Sequence, residues 1–244
     1  MIDQLQPMPT EWQRALAIVA HPDDLEYGRS GAVAAWTASG REVAYLLATR
    51  GEAGIDGVPP AEAAPLRELE QRASAAKVGV HSVEFLDHRD GVLEYGPALR
   101  RDLCRAIREH RPGLVITLNH HDYWSPGSWN SADHRAVGRA ALDAVADAGN
   151  RWIFPELVEQ GCEPWQGVRW VGVAASPHPT HAVDITDHLA DGVASLAAHE
   201  AYLAALSGEP VEQQARRIVE DFAREHAARF GGRPCVTFEL IGVG

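Results

Sequence analysis

The sequence ALAIVA at residues 15–20, followed directly by HPDDLE at residues 21–26, decides the fold class. Residues 15–20 are continuously apolar, as expected for a strand that is covered on both faces of a parallel sheet. The polar hexapeptide then falls at the carboxyl end of that strand, where open α/β sheets bind their ligands. These residues predict a buried first strand with a ligand site directly after it.

Short apolar runs alternate with longer runs rich in Ala, Glu and Arg as far as residue 148, which is the pattern of βαβ units. Gly40, Gly79 and Pro112 follow the helical runs and are typical stop signals. The pattern predicts a Rossmann-like α/β fold, with an open, mostly parallel sheet and helices on both faces. The predicted strands span residues 15–20, 43–48, 83–86 and 114–118, and the predicted helices span residues 30–39, 61–78, 97–110 and 132–148.

The alternation fails in the C-terminal third, so we expect a small irregular addition there that is partly antiparallel. The sequence shows no internal repeat and no low-complexity tract, which favours a single domain over residues 1–244. Residues 51–60 and 122–130 are rich in Gly, Pro, Ser and Asp and are predicted to be mobile loops. In this third the predicted strands span residues 169–175, 182–185 and 236–243, and the predicted helices span residues 189–206 and 211–230.

Charge and composition exclude several classes of protein. The 244 residues carry 22 basic and 34 acidic side chains, a net charge of −12, whereas nucleic-acid binding needs concentrated positive charge. No run of about 18 apolar residues is present to span a membrane. The three cysteines do not have zinc-finger spacing, and residues 1–12 do not resemble a signal peptide. We therefore expect a cytoplasmic protein that binds neither nucleic acid nor membrane, with a homo-oligomer left open.

Three carboxylates stand close together at residues 21–26 and would repel one another unless a cation neutralised them. His21 and Asp24 offer one nitrogen and one oxygen ligand of the kind that zinc binds, and Pro22 would fix the backbone between them. The alternative is a solvated acidic turn in which Asp23 or Asp24 caps the following helix. With the histidine and the proline present, we favour the metal site.

A second motif, NSADHR at residues 130–135, opens the helix after the fourth predicted strand. The first and fourth predicted strands are neighbours in the common doubly wound order, so their carboxyl-end loops flank one crevice. His134 can then join His21 and Asp24 as a third ligand, which leaves a fourth position for water, as in catalytic zinc sites. The alternative is a buried structural histidine, because His134 also falls on the apolar stripe of its helix.

These motifs resemble the LmbE-like, or PIG-L, family of metal-dependent N-acetylglucosaminyl deacetylases. The HPDD motif at residues 21–24, in its strand-then-loop setting, is the specific part of the resemblance, and Asp133-His134 is its downstream counterpart. The resemblance covers most of the chain, from about Leu16 to His199, and includes the mycothiol-pathway deacetylase and conjugate amidase group. Supporting similarity lies in TRGEAG at residues 49–54, Arg67 with Glu70, Asp90-Gly91, and Thr180-His181 with Asp184.

The resemblance implies that His21, Asp24 and His134 bind Zn²⁺, with another divalent ion such as Fe²⁺ as an alternative, and that Asp23 is the general base. Asp23 would help to generate a metal-bound hydroxide and then return the proton to the amine, which leaves poorly without it. Asp133 is a candidate acceptor for the second N–H of a metal-bound imidazole. The implied substrate is a small N-acyl, most simply N-acetyl, amino sugar or a conjugate of one.

The sequence departs from the family at Ser131, where many members carry a histidine that stabilises the oxyanion or assists the leaving group. Ser131 is more simply explained as the N-cap of the helix. Either Asp23 then performs both proton transfers, or another histidine substitutes for the missing one. The candidates for that substitution are His120, His121 and His181.

Further residues are candidates for binding the substrate, because sugar hydroxyls pair with guanidinium and carboxylate groups. Arg67 with Glu70 could instead be an ordinary helix pair at i,i+3, and an arginine is more often found in a surface ion pair. Trp124 and Trp129 could stack on a sugar or simply pack their loop onto the sheet. The predicted substrate-binding residues are Arg50, Arg67, Asp90, His121 and His181, whereas His188, His199 and His226 are predicted to be structural or solvent-facing.

Other functions are less consistent with these motifs. A dinucleotide-binding protein needs Gly-x-Gly-x-x-Gly after the first strand, and a serine hydrolase needs Gly-x-Ser-x-Gly, but the sequence has neither. Metal-dependent hydrolysis of a phosphoester, a non-sugar amide or an ester stays open, because one metal site can serve any of them. A metal-binding protein without turnover is a further alternative, although such a protein would not need Asp23.

Overall fold

The computed structural model of the chain describes residues 4–243. The prediction of a single domain over residues 1–244 and the prediction that residues 1–12 are not a signal peptide therefore include residues, 1–3 and 244, that lie outside the described range. The strands are β1 (Gln6–Pro7), β2 (Arg14–Val19), β3 (Glu42–Leu47), β4 (Ser82–Phe85), β5 (Leu114–Leu118), β6 (Tyr123–Ser125), β7 (Ser128–Trp129), β8 (Trp170–Ala174), β9 (His181–Asp184) and β10 (Cys235–Gly242). The helices are α1 (Ser30–Ala38), α2 (Pro60–Lys77), α3 (Pro97–His110), α4 (Ala132–Ala148), α5 (Pro155–Glu159), α6 (Leu189–Ala197), α7 (Glu200–Leu206) and α8 (Val211–Glu225), followed by a 3₁₀ turn at Ala227–Arg229.

Eight of these strands form one sheet in the order β1-β9-β10-β8-β5-β2-β3-β4. Five of its seven pairings are parallel, and only β10 runs antiparallel to its neighbours β8 and β9. The central strand β2 is buried from Ala15 onward, because helices cover both faces of the sheet. The predicted α/β fold class is confirmed.

The helices divide into two groups. The pair α3 and α4 packs together, and α4 also contacts β2 and β5. The helices α1, α2 and α8 all pack against α6, and α1 contacts β3. Helical layers of this kind bury the apolar faces of a parallel sheet.

The topology forms a crevice at the carboxyl end of β2. The strand β2 pairs with β3 on one side and with β5 on the other, so the predicted neighbourhood of the first and fourth sequence-derived strands is confirmed. The chain leaves β2 towards α1 and leaves β5 towards α4, which belong to different helical groups. This is a topological switch point, where open α/β sheets bind ligands.

The C-terminal third differs from the sequence prediction in several respects. Its strands β8, β9 and β10 extend the main sheet and do not form a separate layer, although β10 is antiparallel as expected. The helix predicted over residues 189–206 is broken at Ala198 and His199, where the fully buried His199 begins α7. The helix predicted over 211–230 ends at Glu225, and β1, α5 and the β6-β7 hairpin were not predicted.

Two smaller observations concern composition. Cys104, Cys162 and Cys235 are all free thiols. Among the helices of residues 4–243, none combines the length and the apolarity needed to cross a membrane. The prediction of one domain over residues 1–244 stays a prediction.

Candidate active site

The turn that follows β2 holds Asp24 in a fixed position. The Oδ2 atom of Asp24 accepts hydrogen bonds from the backbone N–H of Ala20 at 2.9 Å and of His21 at 2.7 Å. The side chain of Asp24 is 5% exposed, and its neighbouring imidazoles lower the pKa of this carboxyl group against the effect of burial. Both backbone donors to this carboxylate precede it in the chain, so Asp24 points into the crevice rather than capping α1.

The structure brings His21, Asp24 and His134 together, although His21 and His134 are 113 residues apart in sequence. The Nε2 atom of His134 lies 2.9 Å from Oδ1 of Asp24 and 3.3 Å from Nδ1 of His21. One ligand atom from each of the three residues lies within 4.8 Å of the other two. We call these three residues the His–Asp cluster.

The donor set of the His–Asp cluster suits a divalent transition-metal ion. Two imidazole nitrogens and one carboxylate oxygen are the ligands found in catalytic zinc sites, and they also accept Fe²⁺. The two ring nitrogens lie 3.3 Å apart, so once both are unprotonated, as metal ligands must be, a cation between them would offset their repulsion. The cluster thus fits the predicted metal site, and the assignment of its members as ligands is taken up as a proposal below.

The second nitrogen of His21 faces two carboxylates. Its Nε2 atom lies 3.1 Å from Oδ2 of Asp133 and 3.0 Å from Oδ1 of Asp90. Burial lowers the pKa of His21, but the nearby carboxylates, Asp24 first among them, raise it far more, to about 12. This arrangement directs Nδ1 of His21 towards the His–Asp cluster, as carboxylates do for metal-binding histidines.

Asp133 is fixed by backbone donors as well as by His21. It accepts hydrogen bonds from the N–H groups of Gly91 at 2.7 Å and Leu93 at 3.0 Å, and it is 2% exposed. Asp90 also accepts a bond from the N–H of Ala53, so this residue, predicted as a substrate contact, is occupied by protein groups. His134 lacks such support, because no described residue bonds to its buried Nδ1 atom.

Asp23 lies between His21 and Asp24 in the turn, but its side chain faces a different partner. Its Oδ2 atom accepts a hydrogen bond from Nη2 of Arg67 at 2.8 Å, and its backbone N–H donates to Oε1 of Gln71 at 2.9 Å. The backbone of Asp23 has φ 82°, a left-handed conformation that Asp tolerates better than most residues. Burial raises the pKa of Asp23 to about 6, against the pull of the Arg67 guanidinium.

Arg67 does not form the i,i+3 pair with Glu70 that its helix spacing allowed. Its Nη2 atom bonds to Asp23 and to the carbonyl of Pro22 at 2.6 Å, and its guanidinium lies 3.8 Å from the ring centroid of Tyr202. Glu70 instead accepts a hydrogen bond from the N–H of Ala201, at the start of α7. Arg67 thus positions the carboxylate of Asp23.

A buried polar network behind Asp23 was not found from the sequence. Gln71 and Ser74 donate to Oε1 of Glu26 at 3.0 Å and 3.1 Å, and Ser74 also bonds Ser195 of α6. Burial raises the pKa of Glu26 to about 7 and lowers that of His199, whose Nε2 lies 4.0 Å from Glu26, to about 3. The sequence signal was Glu26 within the HPDDLE motif, but nothing in it identified the partners on α2 and α6.

A cavity of about 880 Å³ opens at this point. Of the predicted site residues, Arg67 and Asp90 line it together with Asp23 and the His–Asp cluster, whereas Arg50, His121 and His181 are not among the lining residues. Arg50 bonds Glu68 and Asp87, His121 bonds Glu239 at 2.8 Å, and His181 contacts the hydroxyl of Thr180 at 2.9 Å. Trp124 lines the cavity with its ring centroid 5.2 Å from that of His134, and Trp129 is 59% exposed beside Tyr123.

Ser131, at the position of the missing family histidine, is the N-cap residue of a helix but does not form the expected capping hydrogen bond. Ser131 precedes α4, and its side chain makes no capping hydrogen bond. The candidate substitutes His120 and His121 stack on each other with centroids 4.1 Å apart and do not line the cavity. His226, which was predicted to be structural or solvent-facing, does line it, because α8 ends one residue earlier and the chain turns there.

Comparison with known proteins finds relatives that are described as deacetylases. The model of the PIG-L family, described as GlcNAc-PI de-N-acetylase, matches residues 16–145. Diacetylchitobiose deacetylase of Thermococcus kodakarensis is 32% identical over 190 residues, which cover 77% of this chain and 69% of that protein. A 1D-myo-inositol 2-acetamido-2-deoxy-α-D-glucopyranoside deacetylase of Catenulispora acidiphila is 25% identical over 247 aligned residues, covering 78% of this chain and 80% of its own.

The fold is shared with a solved structure. N,N′-diacetylchitobiose deacetylase from Pyrococcus horikoshii superposes with a TM-score of 0.84, at 24% identity, over 95% of this chain and 85% of that one. At this identity the likeness concerns the architecture alone.

Proposed function

The chain belongs to the PIG-L family, and we propose that it is a metal-dependent hydrolase that removes an N-acetyl group from a small amino-sugar conjugate. The relatives named above are deacetylases of N-acetylglucosamine-containing compounds, which supports this reaction class. The whole of residues 1–244 acts as one domain in this proposal, with a small molecule as its partner.

The observation that carries the proposal is the placement of Asp23 beside the His–Asp cluster. Metal binding alone needs His21, Asp24 and His134, and it does not need a second buried aspartate in the same turn. Asp23 is held by Arg67 and Gln71, and it lines the same cavity as the cluster. A carboxyl group whose pKa burial raises to about 6 can both accept and donate a proton near neutral pH.

The His–Asp cluster would hold the ion, with Zn²⁺ as the proposed metal and Fe²⁺ as the alternative. When bound, such an ion supplies Lewis-acid activation of water and polarises the acetamide carbonyl. Asp133 and Asp90 hold the ring of His21 in the orientation that presents Nδ1 to the cluster. The ring of Trp124 lies beside that of His134 and lines the same cavity.

Asp23 carries the proton in the proposed reaction. It accepts a proton from the attacking water and donates one to the nitrogen of the departing amine, since an amide nitrogen leaves poorly unless it is protonated. Arg67 keeps the carboxylate oriented through the 2.8 Å bond to Oδ2. Among the histidines, His226 is the one outside the cluster that shares the cavity within the described residues, so Asp23 performs both transfers unless His226 contributes.

A metal-binding protein without turnover, or a hydrolase of a non-sugar amide or ester, is the competing function. Asp23 speaks against the first, because burying a carboxylate and an arginine is costly and a purely structural metal site would gain nothing from it. The size of the cavity speaks against a small simple amide, since about 880 Å³ suits a drug-sized ligand.

The test compares wild type with Asp23→Asn, which retains the left-handed backbone and the side-chain shape. Amine release from N-acetylglucosamine glycosides is measured together with metal content. We expect about one metal per chain in both proteins and a loss of about 10²–10⁴-fold in kcat for the variant.

The matched control is Asp143→Asn, which changes the same charge at a residue whose partner is the Tyr95 hydroxyl, away from the cavity. Equal activity of the control and wild type would assign the loss to the position of Asp23. Metal binding without amine release by wild type would overturn the proposed reaction, and no metal binding at all would overturn the ligand assignment.

A further inference from the structure

The cavity has a second polar surface, which is separate from the His–Asp cluster. Arg29, which precedes α1, and Phe222, Glu225 and His226, at the end of α8, all line the same cavity as His21. We call these four residues the α8 wall. Gly28 permits their contact, because its φ is +88° and a Cβ there would lie 2.5 Å from Cβ of Phe222. The α8 wall is thus packed against the chain only four residues after Asp24.

Arg29 is an arginine without an ion-pair partner at hydrogen-bonding distance. Its guanidinium lies 4.6 Å from the ring centroid of Phe222, and Nη1 donates to the carbonyl of Tyr27. Within residues 4–243, no carboxylate oxygen lies within 4.0 Å of its nitrogens. Stacking and one backbone bond hold the group in place and leave its other N–H donors free for a ligand.

Glu225 supplies an acceptor beside this donor. Its side chain is 58% exposed, and its Oε1 atom lies 3.9 Å from Nε2 of His226. No donor among the described residues forms a hydrogen bond with its carboxylate, although its charge acts on Arg29. Burial, together with the charges of Arg229 and Arg29, lowers the pKa of His226 despite the charge of Glu225.

This combination suits an uncharged polyhydroxyl group better than an anion. Free guanidinium donors and a free carboxylate acceptor bind sugar hydroxyls, and an aromatic side chain such as Phe222 can pack against the C–H groups of a sugar. An incoming carboxylate or phosphate would meet Glu225 as well as Arg29, and the two charges offset each other. Arg67, the other cavity arginine, is already paired with Asp23 and cannot balance a second anion.

We propose that the α8 wall binds the group linked to the amino sugar and that it selects an uncharged sugar or cyclitol over an acidic group at that position. The inference rests on the proposed function, because it treats the His–Asp cluster as the end that binds the acetamido sugar. Glu225 acts in it as a specificity-determining residue, and Arg29 as its hydrogen-bonding counterpart.

The experiment compares kcat/KM for three N-acetylglucosamine glycosides: the methyl glycoside, N,N′-diacetylchitobiose, and a glycoside of a hydroxycarboxylic acid. The proteins are wild type, Glu225→Gln, Arg29→Met, and the control Asp221→Asn, which removes one charge from an exposed residue on the same helix. We expect wild type to prefer the disaccharide over the methyl glycoside by about tenfold, the value of one hydrogen bond to a charged group. Metal content and thermal unfolding show that each variant is folded.

The two cavity variants should behave differently. Arg29→Met should reduce the disaccharide preference to near unity, and Glu225→Gln should also reduce it while raising relative activity on the acidic glycoside. Asp221→Asn should change neither ratio. Unchanged ratios in both cavity variants would overturn the proposal, as would a wild-type preference for the acidic glycoside that Arg29→Met abolishes, since that would show an anion subsite.

A separate measurement keeps this inference distinct from the proposed function. Binding of cellobiose, which has no acetamido group, is followed by saturation-transfer NMR in the metal-loaded protein. Cellobiose binding that is lost in Arg29→Met and retained in Asp221→Asn supports the α8 wall even if no glycoside is hydrolysed. Hydrolysis of the methyl glycoside with no cellobiose binding would uphold the deacetylase and overturn the α8 wall.

Discussion

The His–Asp cluster and the α8 wall face one cavity but are held in place very differently. Asp24 accepts two backbone hydrogen bonds, and His21 is braced by Asp90 and Asp133. In the α8 wall, Arg29 has one backbone bond and a ring contact, and Glu225 is 58% exposed with no hydrogen bond from the described residues. The His–Asp cluster is therefore held in position before a ligand binds, whereas the side chains of the α8 wall are free to adapt to one.

The difference matches two different physical demands. A reaction requires its groups to be positioned before the substrate arrives, because reorganisation during the reaction adds to the barrier. Recognition of an attached group gains from free donors and acceptors that pair only when the ligand is present. The predictions below test whether the two surfaces can be disturbed separately.

The largest effect is expected from His134→Ala, which removes one of the three members of the His–Asp cluster. Metal content should fall well below one per chain, and kcat/KM should fall by about a thousandfold, since the ion supplies several kcal/mol of transition-state stabilisation. Cellobiose binding by the α8 wall should be unchanged. Metal analysis and NMR on the same sample measure both, with His188→Ala, whose ring pairs with Asp191 and does not line the cavity, as the control. Full metal content in the variant would remove His134 from the ligand set.

A smaller effect is expected from Asp133→Asn. The variant replaces the carboxylate that accepts bonds from His21, Gly91 and Leu93. Metal affinity or activity should fall by about 10–100-fold, the usual result of removing such a carboxylate. A competitive chelator titration measures the affinity. If the affinity were unchanged, Asp90 alone would suffice to orient His21.

A smaller effect again is expected from Gln71→Leu, which tests the hydrogen bonds that support Asp23. The backbone N–H of Asp23 and the carboxyl group of Glu26 each lose a buried partner, so the free energy of unfolding should fall by about 1–3 kcal/mol. The value of kcat should fall by about tenfold with little change in KM. Ser74→Ala removes the other donor to Glu26 and should destabilise without changing kcat. Equal kinetic effects of both variants would show a general structural role.

The smallest effect is expected from Arg50→Ala, at a residue outside both surfaces. Arg50 pairs with Glu68 and Asp87 and is 31% exposed, so its loss should change the free energy of unfolding by no more than about 1 kcal/mol. Its kcat/KM should stay within about twofold of wild type. A large rise in KM would restore the substrate-binding role that the sequence suggested.

The N-terminal half of the fold could be predicted well from sequence. The bounds of β5, α3 and α4 agree with the predicted residues 114–118, 97–110 and 132–148, because buried parallel strands are uniformly apolar and the helices end at clear stop signals. The C-terminal helices were predicted less well, since the break at His199 follows from the burial of its ring beside Glu26. That tertiary contact overrides a local pattern that is compatible with one long helix.

The same division applies to the site. His21 and Asp24 lie in one turn, and strand order alone suggested that His134 would approach them, so the cluster could be anticipated from local motifs and topology. The bond from Arg67 to Asp23 could not, because helical spacing offered Glu70 as a nearer partner. Likewise, the place of His226 in the cavity depends on where α8 ends. Short motifs encode chemistry, whereas the walls of the cavity depend on packing between distant segments.

The position of β10 in the sheet has a consequence for the order of events during synthesis. Because β10 lies between β8 and β9, the sheet cannot reach its final strand order until residues 235–242 have left the ribosome. The His–Asp cluster is complete in the nascent chain at His134, about 5–20 s earlier at the usual rate of about 5–20 residues per second. Once residues 170–184 have emerged, the strands β8 and β9 lack their shared partner and present unpaired edges until β10 follows. The half of the molecule that carries the cluster is therefore exposed to metal ions before the half that carries α8 can enclose the cavity.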